Sequence, residues 1–271
     1  MELTGGTILW KTILNFWPLQ EEQDLIKNGI PSIDDLEINK IKNLEHCYSL
    51  QIQNSNTASL KPILIIYCGM GKTLLPLKVF IYNLLNFFNL RNETFPIIFT
   101  IDHMQISDLN LLFNQSYELY SHVDTLYPTQ KKYIVGHSLG SGIAAQVGKK
   151  LSIEKKSQNL GGLLLLSTSP NLTLVLRPFY FLKSVIESIA TFFLGNILDT
   201  QDALKNINTK VKIIHTVQDK MFLIECIRPL KQILSKFTNK YPEFEEREGS
   251  HGHVISDINK LGNDILHFIK T

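Results

Sequence analysis

A chain of 271 residues, 44% hydrophobic and 19% charged, is long enough to bury a sizeable core and too apolar to be a disordered polymer. Its formal net charge of +2, without a long basic run, gives nucleic-acid binding no support. Three widely spaced cysteines, Cys47, Cys68 and Cys226, fit reduced thiols better than a disulfide framework, and none has zinc-site spacing to a histidine.

Ile8 to Leu19 is rich in Ile, Leu, Trp and Phe, but it is too short to span a bilayer and Lys11 interrupts it. With Glu2 before it and no small-residue cleavage site after it, it is not expected to be a signal peptide. It reads as a helix packed on the domain, or as an interfacial anchor with Trp10 and Trp17 at a water–lipid boundary. Residues 20 to 45 are polar and read as irregular, so 1–45 forms an N-terminal extension and 46–271 the main domain. Cys47 to Gln53 alternates as a strand does, and Asn54 to Ser59 reads as a turn.

From there a unit repeats. Pro62 to Tyr67 is a continuous apolar run, the pattern of a strand buried on both faces, and Leu74 to Leu90 has helical length and spacing. Strands follow at Pro96 to Ile101, Lys132 to Val135, Gly162 to Ser167, Val211 to Thr216 and Glu243 to Arg247. Helices alternate with them around Leu109 to Leu126, Leu139 to Leu151, Phe222 to Phe237 and Ile255 to Ile269. This alternation predicts an α/β fold, a mainly parallel sheet covered by helices on both faces, with its chemistry in the loops beyond the carboxyl ends of the strands.

One such loop is Gly136-His137-Ser138-Leu139-Gly140, between a short strand and a small-residue helix. This is a G-x-S-x-G turn in its proper setting: the glycines permit a tight bend that lifts Ser138 to a helix N-terminus, where developing negative charge is favoured. On these residues the chain resembles the α/β-hydrolase superfamily over roughly residues 60 to 270, and most of all its compact lipase, esterase and acyl-thioesterase branches.

The resemblance implies the order serine, acid, histidine. Ser138 is then the nucleophile, and Asp219, just after the strand Val211 to Thr216, is the acid. Asp199 and Asp202 are weaker choices, since no strand delivers them. In the glycine-rich turn after the last strand, His251 is the expected base, with His253 the alternative. His215, inside a strand, receives no role. The expected oxyanion donors are the N–H of Leu139 and the N–H of Met70, in the loop Tyr67-Cys68-Gly69-Met70-Gly71, where Cys68 replaces the family's usual histidine. The same loop continues into Gly71-Lys72-Thr73, like the end of a phosphate-binding P-loop, but the glycine required five residues earlier is Ile66.

Between about 170 and 205 lies a helical insertion. Phe179, Leu182, Val185, Ile186, Ile189 and Phe193 fall on one helical face, with Lys183, Ser184, Glu187, Ser188 and Thr191 on the other. It reads as a packed helix or as a lid over an acyl pocket, such as the superfamily often carries at this point. The expected activity is hydrolysis of a lipid-like carboxylic ester or thioester by a serine mechanism, with no metal and no organic cofactor required. The alternatives are a non-catalytic binding protein of the same fold, and a serine peptidase or amidase. The expected partner is a small-molecule or lipid acyl substrate. The expected setting is the cytoplasm, with the N-terminal segment or the lid as places for peripheral membrane contact.

Overall fold

The computed structural model describes residues 35–52, 61–69, 74–91, 97–102, 106, 108–168, 170, 198–237 and 243–271. The expected N-terminal helix, Met70, the Gly-Lys-Thr run and residues 171–197 of the expected lid lie outside them.

Among the described residues, eight strands form one sheet: β1 (Leu36–Lys40), β2 (Cys47–Ile52), β3 (Ile63–Tyr67), β4 (Ile98–Ile101), β5 (Lys132–His137), β6 (Leu160–Leu166), β7 (Val211–Thr216) and β8 (Glu243–Arg247). Their order is β1-β2-β4-β3-β5-β6-β7-β8, antiparallel at β1, β2 and β4 and parallel from β4 to β8. The helices are α1 (Leu74–Leu90), α2 (Leu109–Leu126), α3 (Leu139–Ile153), α4 (Thr200–Asn206), α5 (Ile224–Phe237), α6 (His253–Ser256) and α7 (Ile258–Lys270).

The central strands read as apolar runs because both of their faces are covered. Leu64, Ile66, Val135, Leu164 and Ile214 point to one side, where Leu77, Ile81, Leu84 and Phe88 of α1 meet Leu261, Ile265 and Phe268 of α7. Their neighbours Ile63, Ile65, Tyr67, Ile134, Leu165 and Ile213 point to the other, against α2, α3, α4 and α5. The chain passes from β3 outward to β4, then returns to β5 on the other side of β3, so the strand order reverses between β3 and β5. Open parallel sheets bind ligands at such a reversal, and the strand ends there carry Cys68-Gly69 and Ser138.

Three expectations are corrected. The polar stretch before residue 46 contains β1, whose Leu36 is buried and whose whole length pairs with β2; its alternation is too short to stand out before the partner is known. The segment expected as an insertion to about 205 ends in α4, which joins the domain core through buried Thr200, Ala203 and Leu204. The closing helix is two helices, since Asp257 breaks the first and caps the second by accepting from Lys260 N–H at 3.0 Å. Ile66 lies within β3, paired with Thr100 on one side and Val135 on the other, so no phosphate cradle opens there.

The elbow between β5 and α3 is built on two contacts that leave no room for a side chain. A Cβ on Gly140 would lie 1.9 Å from the carbonyl oxygen of Tyr67 in β3, and one on Gly136 would lie 2.5 Å from the carbonyl oxygen of Gly140. A Cβ on Gly252, by contrast, would meet nothing within 4 Å. Gly140→Ala should therefore lower the unfolding free energy by roughly 3 kcal/mol or more, the upper end for overpacking, and Gly252→Ala by well under about 1 kcal/mol. Urea melts of the two variants check this, and equal effects would contradict it.

Candidate active site

Ser138 stands between β5 and α3 with φ 53° and ψ −120°, a left-handed backbone for a residue that is not glycine. Three hydrogen bonds hold it there. Its N–H donates to Leu166 O at 2.9 Å, and its carbonyl receives Ser141 N–H at 3.0 Å and the Ser141 hydroxyl at 2.5 Å. Ser141 Oγ is also 2.7 Å from Thr168 Oγ1, which ties the first turn of α3 to the chain beyond β6. Leu139 opens α3, so its N–H belongs to the first turn, whose amides have no acceptor within the helix. Gly69 faces the hydroxyl from the end of β3: a Cβ on it would lie 2.9 Å from both Ser138 Cβ and His137 Nδ1.

Asp219 is delivered by the loop after β7, where its side chain has 0% exposure. Its Oδ1 accepts from the N–H groups of Met221 at 2.8 Å and Phe222 at 2.9 Å. Its Oδ2 lies 2.7 Å from His251 Nδ1, and His251 Nε2 lies 2.9 Å from Ser138 Oγ. Burial alone would raise the Asp219 pKa; the hydrogen bond and charge of His251, aided by the Phe222 amide, outweigh it and hold the carboxyl below its ordinary 3.8. An ionised carboxylate can only accept, so Nδ1 carries a proton, and in the neutral ring Nε2 is left to accept from the Ser138 hydroxyl.

The structure thus brings Ser138, Asp219 and His251 together and leaves His253 outside. His253 begins α6, is exposed, and lays its ring over Gly249, where a Cβ would lie 2.5 Å from His253 Cδ2. Asp199 caps α4 by accepting from Asp202 N–H at 2.9 Å, and Asp202 pairs with Lys149 at 2.6 Å, so both acids are committed elsewhere. Among the described residues, no group of three or more His, Cys, Asp or Glu is arranged to hold a metal ion.

Acid and base arrive in register. The β7–β8 ladder ends with Thr216 opposite Arg247, and Val217 N–H continues it by donating to Arg247 O at 2.8 Å. Gly249, at φ 125°, then turns the chain back toward Ser138. The Phe222 ring meets the His251 ring edge-on at 5.2 Å, and the His137 ring lies 5.3 Å away.

Sequence reasoning missed the small polar side chains around this line. The Thr216 hydroxyl donates to Ser250 O at 3.0 Å, and the Ser167 hydroxyl to His251 O at 2.9 Å. His215, fully buried, contacts Phe222 O through Nε2 at 2.8 Å and so closes the turn that carries Asp219. The available signal was position: Thr216 ends β7, His215 precedes it, and Ser167 follows β6, all at the carboxyl ends of the strands.

No family model matches the sequence, and no curated protein matches it in sequence. Solved structures do match in three dimensions. An esterase from Pyrococcus furiosus is 12% identical with a TM-score of 0.62, over 89% of this chain and 94% of that one. Carboxyl esterase 2 from the fungus Tuber melanosporum is 14% identical with a TM-score of 0.62, over 89% and 87%. An esterase/lipase from an uncultured bacterium is 12% identical with a TM-score of 0.63, over 98% and 99%. At these identities the likeness is one of fold.

Because the Asp219 pKa is depressed on folding, its contribution to stability is complete above 3.8 and is lost as pH falls through the lowered value. Asp219→Asn should therefore lower the unfolding free energy by a constant amount from about pH 7 to about pH 5, with the gap to wild type closing below about pH 4. Urea melts across this range measure it, and a gap that widens on acidification would contradict the assignment.

Proposed function

We propose that this chain, which has the α/β-hydrolase fold, is a serine hydrolase that cleaves a carboxylic ester or thioester through an acyl-enzyme on Ser138. One observation carries the reading: the unbroken hydrogen-bonded line from Ser138 Oγ through both nitrogens of His251 to the buried carboxylate of Asp219.

A serine hydroxyl is a weak nucleophile near neutral pH and needs a base in contact with it. His251 Nε2, at 2.9 Å, takes the proton as Ser138 Oγ attacks the substrate carbonyl. Asp219 keeps the ring in the Nδ1–H tautomer and stabilises the imidazolium. The Leu139 N–H, at the positive end of α3, is one donor for the oxyanion, and the N–H of Met70 is the second in this reading. His251 then returns its proton to the leaving group. Water, activated by the same imidazole, releases the acyl group and restores Ser138.

The named activities of the structural neighbours, esterase and lipase, support ester chemistry for this chain. The apolar residues at helical spacing in the sequence from Arg177 to Leu198 favour a lipid-like acyl group in this reading. Among the described residues no helix is long and apolar enough to cross a membrane.

Wild type should label with a fluorophosphonate probe and Ser138→Ala should not. His251→Ala should lower kcat about 10^4-fold or more, while His253→Ala stays within a few-fold of wild type. No labelling of a folded wild type would instead favour a binding protein built on the same fold. With p-nitrophenyl esters of rising chain length, activity confined to the acetate would remove the acyl-chain reading.

A further inference from the structure

Ser167, the residue after β6, is fully buried, yet its backbone is left-handed at φ 44°. A side chain makes that conformation unfavourable, whereas glycine adopts it freely. What serine adds over glycine here is its hydroxyl, and that hydroxyl donates to the carbonyl of His251 at 2.9 Å. The Ser167 N–H is fixed in turn by Ile214 O of β7 at 2.9 Å. The residue before it, Leu166, accepts the N–H of Ser138 at 2.9 Å. Two successive residues at one strand end therefore hold the main chains of both partners, the hydroxyl bearer through Leu166 O and the imidazole bearer through Ser167 Oγ. His137 Nε2 also lies near the His251 carbonyl, at the longer distance of 3.5 Å.

We propose that Ser167 is a positioning residue for His251: its strained backbone aims the hydroxyl at the base's carbonyl and so sets the imidazole over Ser138. The proposal rests on the hydrolase reading of Ser138 and His251. Ser167 does not touch the substrate; it acts on the chain that carries the base. Strain kept at such a point is the pattern expected where geometry, rather than stability, is being held.

Two substitutions separate geometry from stability. Ser167→Gly removes the hydroxyl and suits φ 44°, whereas Ser167→Ala removes the hydroxyl and keeps the strain. The glycine variant should melt at or above the wild-type temperature, and the alanine variant below the glycine variant. Both should lose kcat roughly tenfold on a p-nitrophenyl ester with KM within about twofold, since a misplaced base weakens the chemical step and leaves ground-state binding alone. Amide hydrogen exchange at His253, whose N–H donates to Ser250 O at 3.0 Å, should quicken in the glycine variant by about tenfold, because its loop has lost a tether. Wild-type kcat in a folded glycine variant, or unchanged exchange in that loop, overturns the proposal. If wild type itself proves inert to ester and to fluorophosphonate, the hydrolase reading fails on its own, and the exchange measurement alone decides whether Ser167 holds the His251 loop.

Discussion

Placing a carboxylate where no water reaches it is unfavourable unless the protein replaces the lost hydration, and the geometry of this site is arranged around how Asp219 meets that demand. Two amides from its own turn satisfy Oδ1, and the His251 ring satisfies Oδ2. Removing either set would leave a buried charge uncompensated, so the turn from 219 to 222 and the orientation of the imidazole are set together. The same hydrogen bond joins the loops after β7 and β8, two segments that the sequence separates by 32 positions. It therefore acts as a fold contact and as the device that chooses the ring's tautomer.

That contact can form only if the strand ends deliver their loops at the right height. Arg247, the last residue of β8, binds Asp264 of α7 through its two terminal guanidinium nitrogens, Nη1 and Nη2, at 2.5 and 2.7 Å, which pins the end of the strand just before the His251 turn. At the other side, Gly140 lets α3 approach the Tyr67 carbonyl, so Ser138 is held at the end of β5 beside Gly69. The strand order reverses between β3 and β5 at this point, which is where open parallel sheets bind ligands. Apolar packing sets the positions of the strands, and a handful of hydroxyls and amides at their ends set the angles of the loops.

Much of this was legible in the residues. The apolar runs of β3, β6 and β7 declare strands covered on both faces, and the glycines about Ser138 declare a turn too tight for side chains. Asp219 and His251 were readable because each follows a strand in an order that the α/β-hydrolase resemblance implies. What was hidden depended on partners distant in the chain. β1 is a strand because β2 pairs with it, and Ser167 and Thr216 matter because the Ser250–His251 carbonyls arrive opposite them. A serine after a leucine run reads locally as a strand end and nothing more. Closeness to the strand end ranked His251 ahead of His253, but the bend at Gly249 that turns the chain back toward Ser138 is a backbone angle and shows only in the structure.

Two imidazoles approach the same oxygen of Asp219, and their surroundings give them different uses. His215 Nε2 lies 3.6 Å from Oδ2 and 2.8 Å from the Phe222 carbonyl, which accepts only from an N–H, so its proton is committed to the main chain. Burial pushes its pKa below the ordinary 6.5, and the ring stays neutral beside the carboxylate despite the opposing pull of that charge. His251 instead has its side chain 16% exposed, gives one nitrogen to Asp219 and turns the other to Ser138. A base in the proposed chemistry must gain and lose a proton with each acyl transfer, which requires an open nitrogen facing the reacting hydroxyl. Only the ring at the mouth of the crevice has one. The ring enclosed in β7 shapes the turn beneath the carboxylate, and so two histidines of identical chemistry are divided into a structural and a proposed catalytic role by where the sheet places them.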